Sequence, residues 1–285
     1  GFDSLTFGDD TIRGNGGADT LNGKGGLDWM YGGAGNDTLN GGAGNDLLYG
    51  EADSDTYVFN LGDGQDTITD TGGAADKILL GSGIAFSNLT FAEVGTYGLE
   101  LTFSNSPSDK ITIANFRNGT SNRIETISFN GSDHNLVYGT SSGETLTGTS
   151  GADIMYGKAG SNSYNTGNGN DIIIGGDDYD DVNYTLYSYG GNKTVYGNGG
   201  NDRISTGSGN DTIYGGSGTD TVNGFAGDDT IYGEGDLDYL SGREGNDTIY
   251  GGGGDDWVMG WIGNDILYGG DGNDLVMAAH PDGYS

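Results

Sequence analysis

A nine-residue repeat limits what this chain can fold into. From residue 197 to residue 277 the sequence runs through nine consecutive blocks of nine residues, among them TGSGNDTIY, GGSGTDTVN and GGDGNDLVM. Each block has glycines near its start, an aspartate at its sixth position and an aliphatic residue at its eighth. A period this strict marks a repeat architecture in which similar units stack on one another.

Each block has the features of a turn followed by a short strand. Glycines allow positive φ in the turn, and one aliphatic residue between two outward-facing neighbours is the period-two signature of a strand buried on one face. Two blocks then complete one coil, so residues 18 positions apart stack on the same sheet, about 4.8 Å from each other. The repeat therefore predicts an all-β fold of stacked parallel strands.

The repeated aspartates would form columns of negative charge. At the stacking distance, and with an effective dielectric constant of about 20, two carboxylates repel each other by about 3 kcal/mol. Carboxylates and turn carbonyl oxygens are hard ligands that suit Ca²⁺, and we therefore predict multiple calcium ions, about ten or more, between stacked turns. The predicted metal ligands are Asp10, Asp19, Asp28, Asp37, Asp46, Asp55, Asp153, Asp171, Asp180, Asp202, Asp211, Asp220, Asp229, Asp238, Asp247, Asp256, Asp265 and Asp274.

The blocks match the pattern G-G-x-G-x-D-x-U-x, where U is a large apolar residue. On these residues the chain closely resembles the RTX, or haemolysin-type calcium-binding, family of secreted bacterial proteins. The resemblance implies a right-handed parallel β-roll, in which the sixth-position aspartate and turn carbonyls of two successive turns share each ion. It also implies type I secretion and a location outside the cell or on the bacterial surface.

Composition agrees with this interpretation and argues against other classes of protein. The 285 residues carry a formal charge of −32, only 33% are hydrophobic, and none is cysteine. Low hydrophobicity with high charge predicts disorder when no cation is bound, and disulfides cannot hold the fold. Nucleic acid is not an expected partner with only 10 basic residues, and no stretch of about 20 apolar residues offers a membrane span. Since the chain starts inside a repeat, we expect a fragment of a longer protein.

Interruptions of the period predict two β-rolls separated by an insert. The aromatic run at 57–59 is expected to cap the first roll, and apolar alternation in the insert predicts antiparallel strands at 77–80, 88–94, 98–103, 110–114 and 124–129. Within 56–137, the runs YVFNLGDGQDTITD and IETISFNGS resemble the haemolysin-type calcium-binding related region. The expected segments are a first roll at 1–58, the insert at 59–137, and a second roll at 138–285 with an irregular start at 138–196 and a regular array at 197–277.

In two parts of the chain, the insert and the irregular start of the second roll, the repeat pattern does not identify the metal ligands. Four aspartates in the insert, Asp63, Asp66, Asp70 and Asp76, are compatible with a further calcium site or with a solvated turn. In the irregular start of the second roll, Asn162 and Lys193 stand at the acidic position. We expect a weak or missing site at Asn162 and a missing one at Lys193, whose ammonium group can instead neutralise one turn of the column. Four extra residues predict a bulge at 184–187.

The outward positions of the strands differ between the two sheets. Five tyrosines, 18 residues apart, form a predicted ladder that strand propensity explains, or that offers a flat aromatic face to a partner or a carbohydrate. An apolar patch on the opposite sheet predicts self-association or contact with an adjacent domain. The ladder is Tyr196, Tyr214, Tyr232, Tyr250 and Tyr268, and the patch is Tyr239, Trp257, Met259, Leu275 and Met277.

Signals for an enzyme are weak. The run at 139–143 matches G-x-S-x-G, but it lies in the turn of an imperfect repeat rather than between a long strand and a helix. Only His134 and His280 offer histidine bases, and periodic aspartates indicate ligands because an active site is needed once. We therefore expect no catalytic activity.

Two kinds of function remain open. The chain is expected to be a calcium-binding repeat region that folds outside the cell, as a structural or adhesive part of an extracellular protein. The alternative is a secretion and folding module of a secreted enzyme, such as a lipase, protease or alginate epimerase, or the repeat region of a toxin.

Overall fold

A computed structural model describes residues 8–73, 75–95, 98–114, 116, 124–140, 143–158, 160–176, 180–182 and 190–278. The chain forms two compact units, the first ending at Asp133 and the second beginning at His134. Among the described residues the regular structure is β, apart from one 3-10 turn at Phe86–Asn88, which confirms the predicted all-β class. In the same residues no helix has the length and apolarity that crossing a membrane requires.

As far as β8, successive strands of the first unit alternate between two sheets. One sheet has the order β1-β3-β5-β7-β11-β10-β9, and β2, β4, β6, β8 and β12 pair in that order in the other. Equivalent residues stack in register, as Leu39 does on Leu21 and Tyr57, because the coil length matches the repeat. The strands are β1 (Thr11–Gly16), β2 (Thr20–Gly25), β3 (Trp29–Ala34), β4 (Thr38–Ala43), β5 (Leu47–Ala52), β6 (Thr56–Phe59), β7 (Gln65–Thr69), β8 (Lys77–Leu80), β9 (Leu89–Val94), β10 (Gly98–Phe103), β11 (Lys110–Ala114) and β12 (Thr126–Phe129).

The parallel stack of the first unit continues past the predicted cap. Strand β6 pairs with β4 on one side and with β8 on the other, so the aromatic run at 57–59 is an internal rung, and the prediction of a cap is wrong. Strand β7 pairs in parallel with β5 and β11, and β8 pairs in parallel with β12. Of the five strands predicted to be antiparallel, β9, β10 and β11 pair in this way. The prediction is wrong for 77–80 and 124–129, because β8 and β12 pair with each other in parallel. The stack tolerates longer coils because the extra residues lie in turns while Ile68 and Ile78 keep facing inward.

In the second unit, successive strands again alternate between two sheets. From β13 onward the odd-numbered strands pair in one series ending at β27, and the even-numbered strands from β14 to β28 form an eight-stranded sheet. The strands are β13 (Ser132–Tyr138), β14 (Thr145–Thr147), β15 (Asp153–Tyr156), β16 (Ser163–Asn165), β17 (Ile172–Ile174), β18 (Asp181–Val182), β19 (Thr194–Tyr196), β20 (Arg203–Ser205), β21 (Thr212–Ser217), β22 (Thr221–Ala226), β23 (Thr230–Gly235), β24 (Tyr239–Glu244), β25 (Thr248–Gly253), β26 (Trp257–Ile262), β27 (Ile266–Asp271) and β28 (Leu275–Met277).

The core of the second unit is built from one inward-facing side chain of each strand. Each regular strand as far as β26 buries its eighth-position residue completely, as Ile213, Ile231 and Val258 show, and Leu267 in β27 is half-buried. At the last strand Val276 is 43% exposed, because β28 is paired on one side by β26 and no further strand is described beyond it. Two aliphatic residues in each coil make a thin core, and the turns must therefore contribute to stability.

Four additional residues lengthen one coil at the irregular start of the second unit. Strand β17 pairs with β19 so that Ile173 faces Val195, 22 positions along the chain. The predicted bulge at 184–187 lies outside the described residues.

Candidate metal centres

One oxygen of each repeat aspartate is bonded to the backbone of the neighbouring coil. Oδ1 of Asp229 accepts a hydrogen bond of 2.8 Å from the backbone N–H of Asp211, and the carbonyl of Asp211 accepts the N–H of Thr230 at 2.8 Å. The carboxylate thus ties one turn to the turn 18 residues earlier. Oδ1 accepts in this way, at 2.7–3.1 Å, in Asp28, Asp37, Asp46, Asp55, Asp171, Asp180, Asp202, Asp211, Asp220, Asp229, Asp238, Asp247, Asp256, Asp265 and Asp274.

The other oxygen of most of these aspartates is buried without a hydrogen-bond donor. A buried carboxylate oxygen that lacks a partner costs free energy, and such groups are rare in native proteins. Their repetition along each column indicates a missing positive partner rather than isolated defects. Oδ2 is buried and accepts no hydrogen bond in Asp10, Asp19, Asp28, Asp37, Asp46, Asp55, Asp171, Asp202, Asp211, Asp220, Asp229, Asp238, Asp247, Asp256 and Asp265.

Glycines keep a space open beside these oxygens. A Cβ atom added to Gly32 would lie 2.5 Å from Oδ2 of Asp37 and 2.8 Å from the carbonyl oxygen of Gly50. A Cβ atom at Gly215 would likewise lie 2.5 Å from Oδ2 of Asp220 and 2.9 Å from a carbonyl oxygen of the next coil. We call the space between such a glycine and the carboxylate of the following aspartate a cradle. These two cradles are each lined by one carboxylate oxygen and one carbonyl oxygen, which is a donor set that fits Ca²⁺.

Burial makes the charged form of these carboxylates unfavourable in the absence of a cation. Removal from water is the main cause that raises the pKa of Asp202 and Asp229 to about 8 and that of Asp238 to about 7. Neighbouring carboxylates raise it further, while the hydrogen bond from the preceding coil lowers it. These three carboxylates are therefore largely protonated at neutral pH unless positive charge is supplied.

Three predicted ligands, Asp153, Asp180 and Asp274, are not among those whose Oδ2 is buried without a hydrogen bond. Oδ2 of Asp153 accepts the N–H of Thr149, and Oδ2 of Asp180 accepts the N–H of Gly176, each at 2.8 Å. Asp274 precedes the last strand, and its Oδ1 accepts from Asp256. The first two carboxylates are thus partly satisfied by the chain itself.

Side-chain nitrogens occupy the turn where the acidic residue is replaced. The ammonium group of Lys193, 1% exposed, donates to the carbonyl oxygens of Gly169, Gly190 and Gly191 at 2.9–3.2 Å. The amide of Asn162 donates to the carbonyl oxygens of two turn glycines at 2.8 and 3.1 Å. Nitrogen donors therefore bind turn carbonyls at both positions where a weak or missing calcium site is expected.

The structure extends the acidic columns with residues that the nine-residue period did not reveal. Asp66 accepts the N–H of Asp46, Asp76 accepts that of Asp55, and Glu125 accepts that of Asp76. Oδ2 is buried and accepts no hydrogen bond in Asp66 and Asp76. The acid-x-Ile triplets that begin at these three residues are the signal that could have found them, since the repeat has the same triplet.

The four aspartates of the insert do not meet in one place. Asp66 joins the column of Asp46, whereas Asp70 and Asp76 lie beside Asp55. Asp63 accepts hydrogen bonds from the backbone and side chain of Asn60.

A second, outer ladder runs along the fifth position of the repeat. The side-chain oxygen of Asn210 accepts the N–H of Asp228 at 3.1 Å, and that of Asp228 accepts the N–H of Asn246 at 2.8 Å. These bonds run in the direction opposite to those of the inner column. Sequence reasoning did not assign a role to this position, although asparagine or aspartate recurs there.

The structure describes part of the G-x-S-x-G match at 139–143. The backbone N–H of Thr140 donates to the carboxylate of Glu144, and His134 is buried. Ser141 and His280 lie outside the described residues.

Comparison with known families agrees with this geometry. The model of the RTX calcium-binding nonapeptide repeat matches the chain in overlapping segments that cover most of it, and that of the haemolysin-type calcium binding protein related domain matches residues 99–132. A comparison with curated proteins finds no match. The repeat segments are 6–30, 23–57, 31–68, 138–173, 147–182, 187–222, 196–231, 205–240, 214–249 and 241–276.

Proposed function

The chain belongs to the RTX family of calcium-binding nonapeptide-repeat proteins, and from this we propose that it is the calcium-folded repeat region of a secreted bacterial protein. The observation that carries the proposal is the column of buried Oδ2 atoms that accept no hydrogen bond. The chain stays expanded where calcium is scarce, passes through an exporter in that state, and folds outside the cell.

Folding on calcium follows from the charges of the chain. A net charge of −32 opposes compaction, and the thin core offers little apolar burial to offset it. Calcium bound in the cradles would supply the positive charge that the carboxylates lack. Asp202, Asp220 and Asp238 then link successive coils, because each carboxylate holds the backbone of the preceding turn through Oδ1. Since the cradles form only when coils stack, binding and folding are one equilibrium.

Circular dichroism in EDTA and then in millimolar calcium tests this proposal. We expect a disordered spectrum with chelator and a β spectrum after calcium is added, with half-saturation at about 10⁻⁴–10⁻³ M, as in extracellular calcium modules. A β spectrum that persists unchanged in EDTA would overturn the proposal.

We propose further that the folded region is a structural or adhesive part of a cell-surface or extracellular protein. Support comes from Tyr196, Tyr214, Tyr232, Tyr250 and Tyr268, whose rings stack at 4.8–5.0 Å with interplanar angles of 0–5°. Tyr239, Trp257 and Leu275 are 39–44% exposed on the other sheet, while Met259 and Met277 are half-buried. Such a patch fits a second copy or a neighbouring domain, and the tyrosine face fits a carbohydrate.

Sedimentation in calcium separates these contacts. Self-association that is lost in Trp257→Ser, with the β spectrum unchanged, assigns the apolar patch. A monomer at all concentrations argues against contact between copies and favours the alternative of a folding module for a secreted enzyme or toxin.

A further inference from the structure

Three buried carboxylates meet where the first unit departs from the nine-residue period. Asp55 precedes β6, Asp70 follows β7 and Asp76 precedes β8. One oxygen from each lies within 4.8 Å of the other two, and the three residues are 0–1% exposed. Among the described residues no lysine or arginine pairs with this group, which we call the triad.

Hydrogen bonds hold the three carboxylates of the triad in place and leave oxygen atoms free to bind a cation. Oδ1 of Asp55 and Oδ1 of Asp76 each accept one backbone N–H at 2.8 Å, while Oδ2 of both is buried and accepts no hydrogen bond. Asp70 is held from two sides, by the hydroxyl of Tyr57 at 2.6 Å and by the N–H of Gly72 at 3.0 Å. A carboxylate has about four lone-pair positions, so Asp70 can still act as a ligand.

The triad differs from a repeat site in its oxygen atoms. Beside Gly50 the space next to Oδ2 of Asp55 is lined by the hydroxyl of Tyr57, where the cradles at Gly32 and Gly215 present a carbonyl oxygen of the next coil. The hydroxyl of Tyr57 also accepts the N–H of Gly50 at 2.9 Å. Asp70 and Asp76 lie outside the segments matched by either family model. The triad therefore combines two column carboxylates with a third carboxylate that the repeat does not supply.

We propose that Asp55, Asp70 and Asp76 form a calcium site that binds more tightly than the repeat sites and fills first. The inference rests on the proposed calcium-dependent folding. Three carboxylates give one more negative charge than a pair, and the hydrogen bonds to Asp70 hold it rigidly; charge count and rigidity set affinity in oxygen-ligand calcium sites. A buried site of protein oxygens favours Ca²⁺ over Mg²⁺, which gives up its water ligands reluctantly.

Calorimetric titration of the whole chain with calcium tests the site. We expect one ion to bind at least about tenfold more tightly than the remaining class. Asp70→Asn should abolish this step, whereas Asp28→Asn, which removes a carboxylate from an ordinary column position, should leave it intact. A single class of sites in the wild-type chain, or a tight step that survives in Asp70→Asn, overturns the triad. Absence of any calcium binding by the wild-type chain would instead overturn the proposed function.

Terbium luminescence gives a readout that does not depend on how well Asp70→Asn folds. The hydroxyl of Tyr57 is hydrogen-bonded to the triad, so the first equivalent of Tb³⁺ should show tyrosine-sensitised emission. Tyr57→Phe keeps all three carboxylates and should retain tight binding while this first-equivalent emission falls. Emission from the first equivalent that is unchanged in Tyr57→Phe would place the first ion elsewhere and overturn the proposal.

Discussion

The ammonium nitrogen of Lys193 lies 3.5 Å from Oδ2 of Asp171, and both side chains are completely shielded from solvent. At other rungs of the same column the corresponding aspartate oxygen is buried without a donor, as in Asp211 and Asp229. A positive charge belonging to the chain thus lies next to a carboxylate that would otherwise need a metal ion.

Substitutions at Lys193 should distinguish the contribution of this lysine charge to stability from the contribution of bound calcium. Lys193→Met leaves the Asp171 carboxylate buried and unpaired, and loss of one partner of a buried pair costs about 3–5 kcal/mol. Lys193→Asp rebuilds the acidic column, so we expect folding to need more calcium and the folded chain to bind more calcium ions than the wild-type chain. Urea denaturation in millimolar calcium measures the stability of Lys193→Met, and calcium titration measures the calcium requirement and stoichiometry of Lys193→Asp.

Arg203→Asp is the control for charge, because Arg203 is exposed on a neighbouring strand and undergoes the same change. Equal calcium stoichiometry in Lys193→Asp and the wild-type chain would contradict this account of the column.

Two adjacent aspartates should respond differently to the same substitution. Asp229 is buried with an Oδ2 that accepts no hydrogen bond, whereas Asp228 is exposed and belongs to the outer ladder. Asparagine at 229 can still accept the N–H of Asp211 through one oxygen, but it removes the charge shared with the turns on either side. We expect Asp229→Asn to bind about two fewer calcium ions per chain and to need more calcium for folding.

Asp228→Asn keeps an acceptor for the N–H of Asn246 and should bind calcium like the wild-type chain. Native mass spectrometry counts the ions in both variants. Identical counts would show that the inner column does not hold the metal.

Regular parts of the fold were predictable because each coil repeats the one before. The strands after Tyr196 follow the period, and their inward residues, such as Ile231 and Leu240, are completely buried. The nine-residue period did not predict that Ile68 and Ile78 continue the stack. In their coils, equivalent carboxylates are 20 and 21 positions apart in the sequence instead of 18. Inward packing keeps the register there, and the turns absorb the added residues.

The detailed state of each carboxylate depends on contacts that spacing does not encode. Asp153 and Asp180 stand at the same repeat position as Asp229, yet local N–H groups of Thr149 and Gly176 satisfy their Oδ2 atoms. The grouping of Asp70 with Asp55 likewise depends on the turn after β7, where Tyr57 and Gly72 fix the carboxylate.

Acidification should favour the metal-free fold. Burial raises the pKa of Asp229 to about 8 and that of Asp238 to about 7, from 3.8 for an ordinary aspartate. The folded chain therefore binds more protons than the unfolded chain between about pH 4 and pH 8. The resulting stability is fully present below about pH 4 and is lost as the pH rises through 7 and 8.

In EDTA we therefore expect the β signal in circular dichroism to grow as the pH falls from 8.5 towards 4.5. In the presence of calcium, protons compete for the same oxygens, so the calcium concentration at half-folding should rise over that interval. A β signal in EDTA that does not change with pH would contradict the burial of ionisable oxygens in the folded chain.

One methyl group in a cradle should block it. In Gly215→Ala the new Cβ would lie 2.5 Å from Oδ2 of Asp220 and 2.9 Å from the carbonyl oxygen of Gly233, so the two oxygens could not keep their positions. We expect a loss of about 1–3 kcal/mol, typical of overpacking, and a higher calcium concentration at half-folding.

Gly235→Ala provides the matched control in the same unit. The nearest atom to its new Cβ would be the carbonyl oxygen of Gly216, 3.9 Å away, which is an ordinary contact. Neither glycine has positive φ, so the two variants differ in what the methyl group meets and not in backbone strain. Calcium titrations followed by circular dichroism should shift for Gly215→Ala and not for Gly235→Ala; equal shifts would mean that the space beside Asp220 is not where the cation binds.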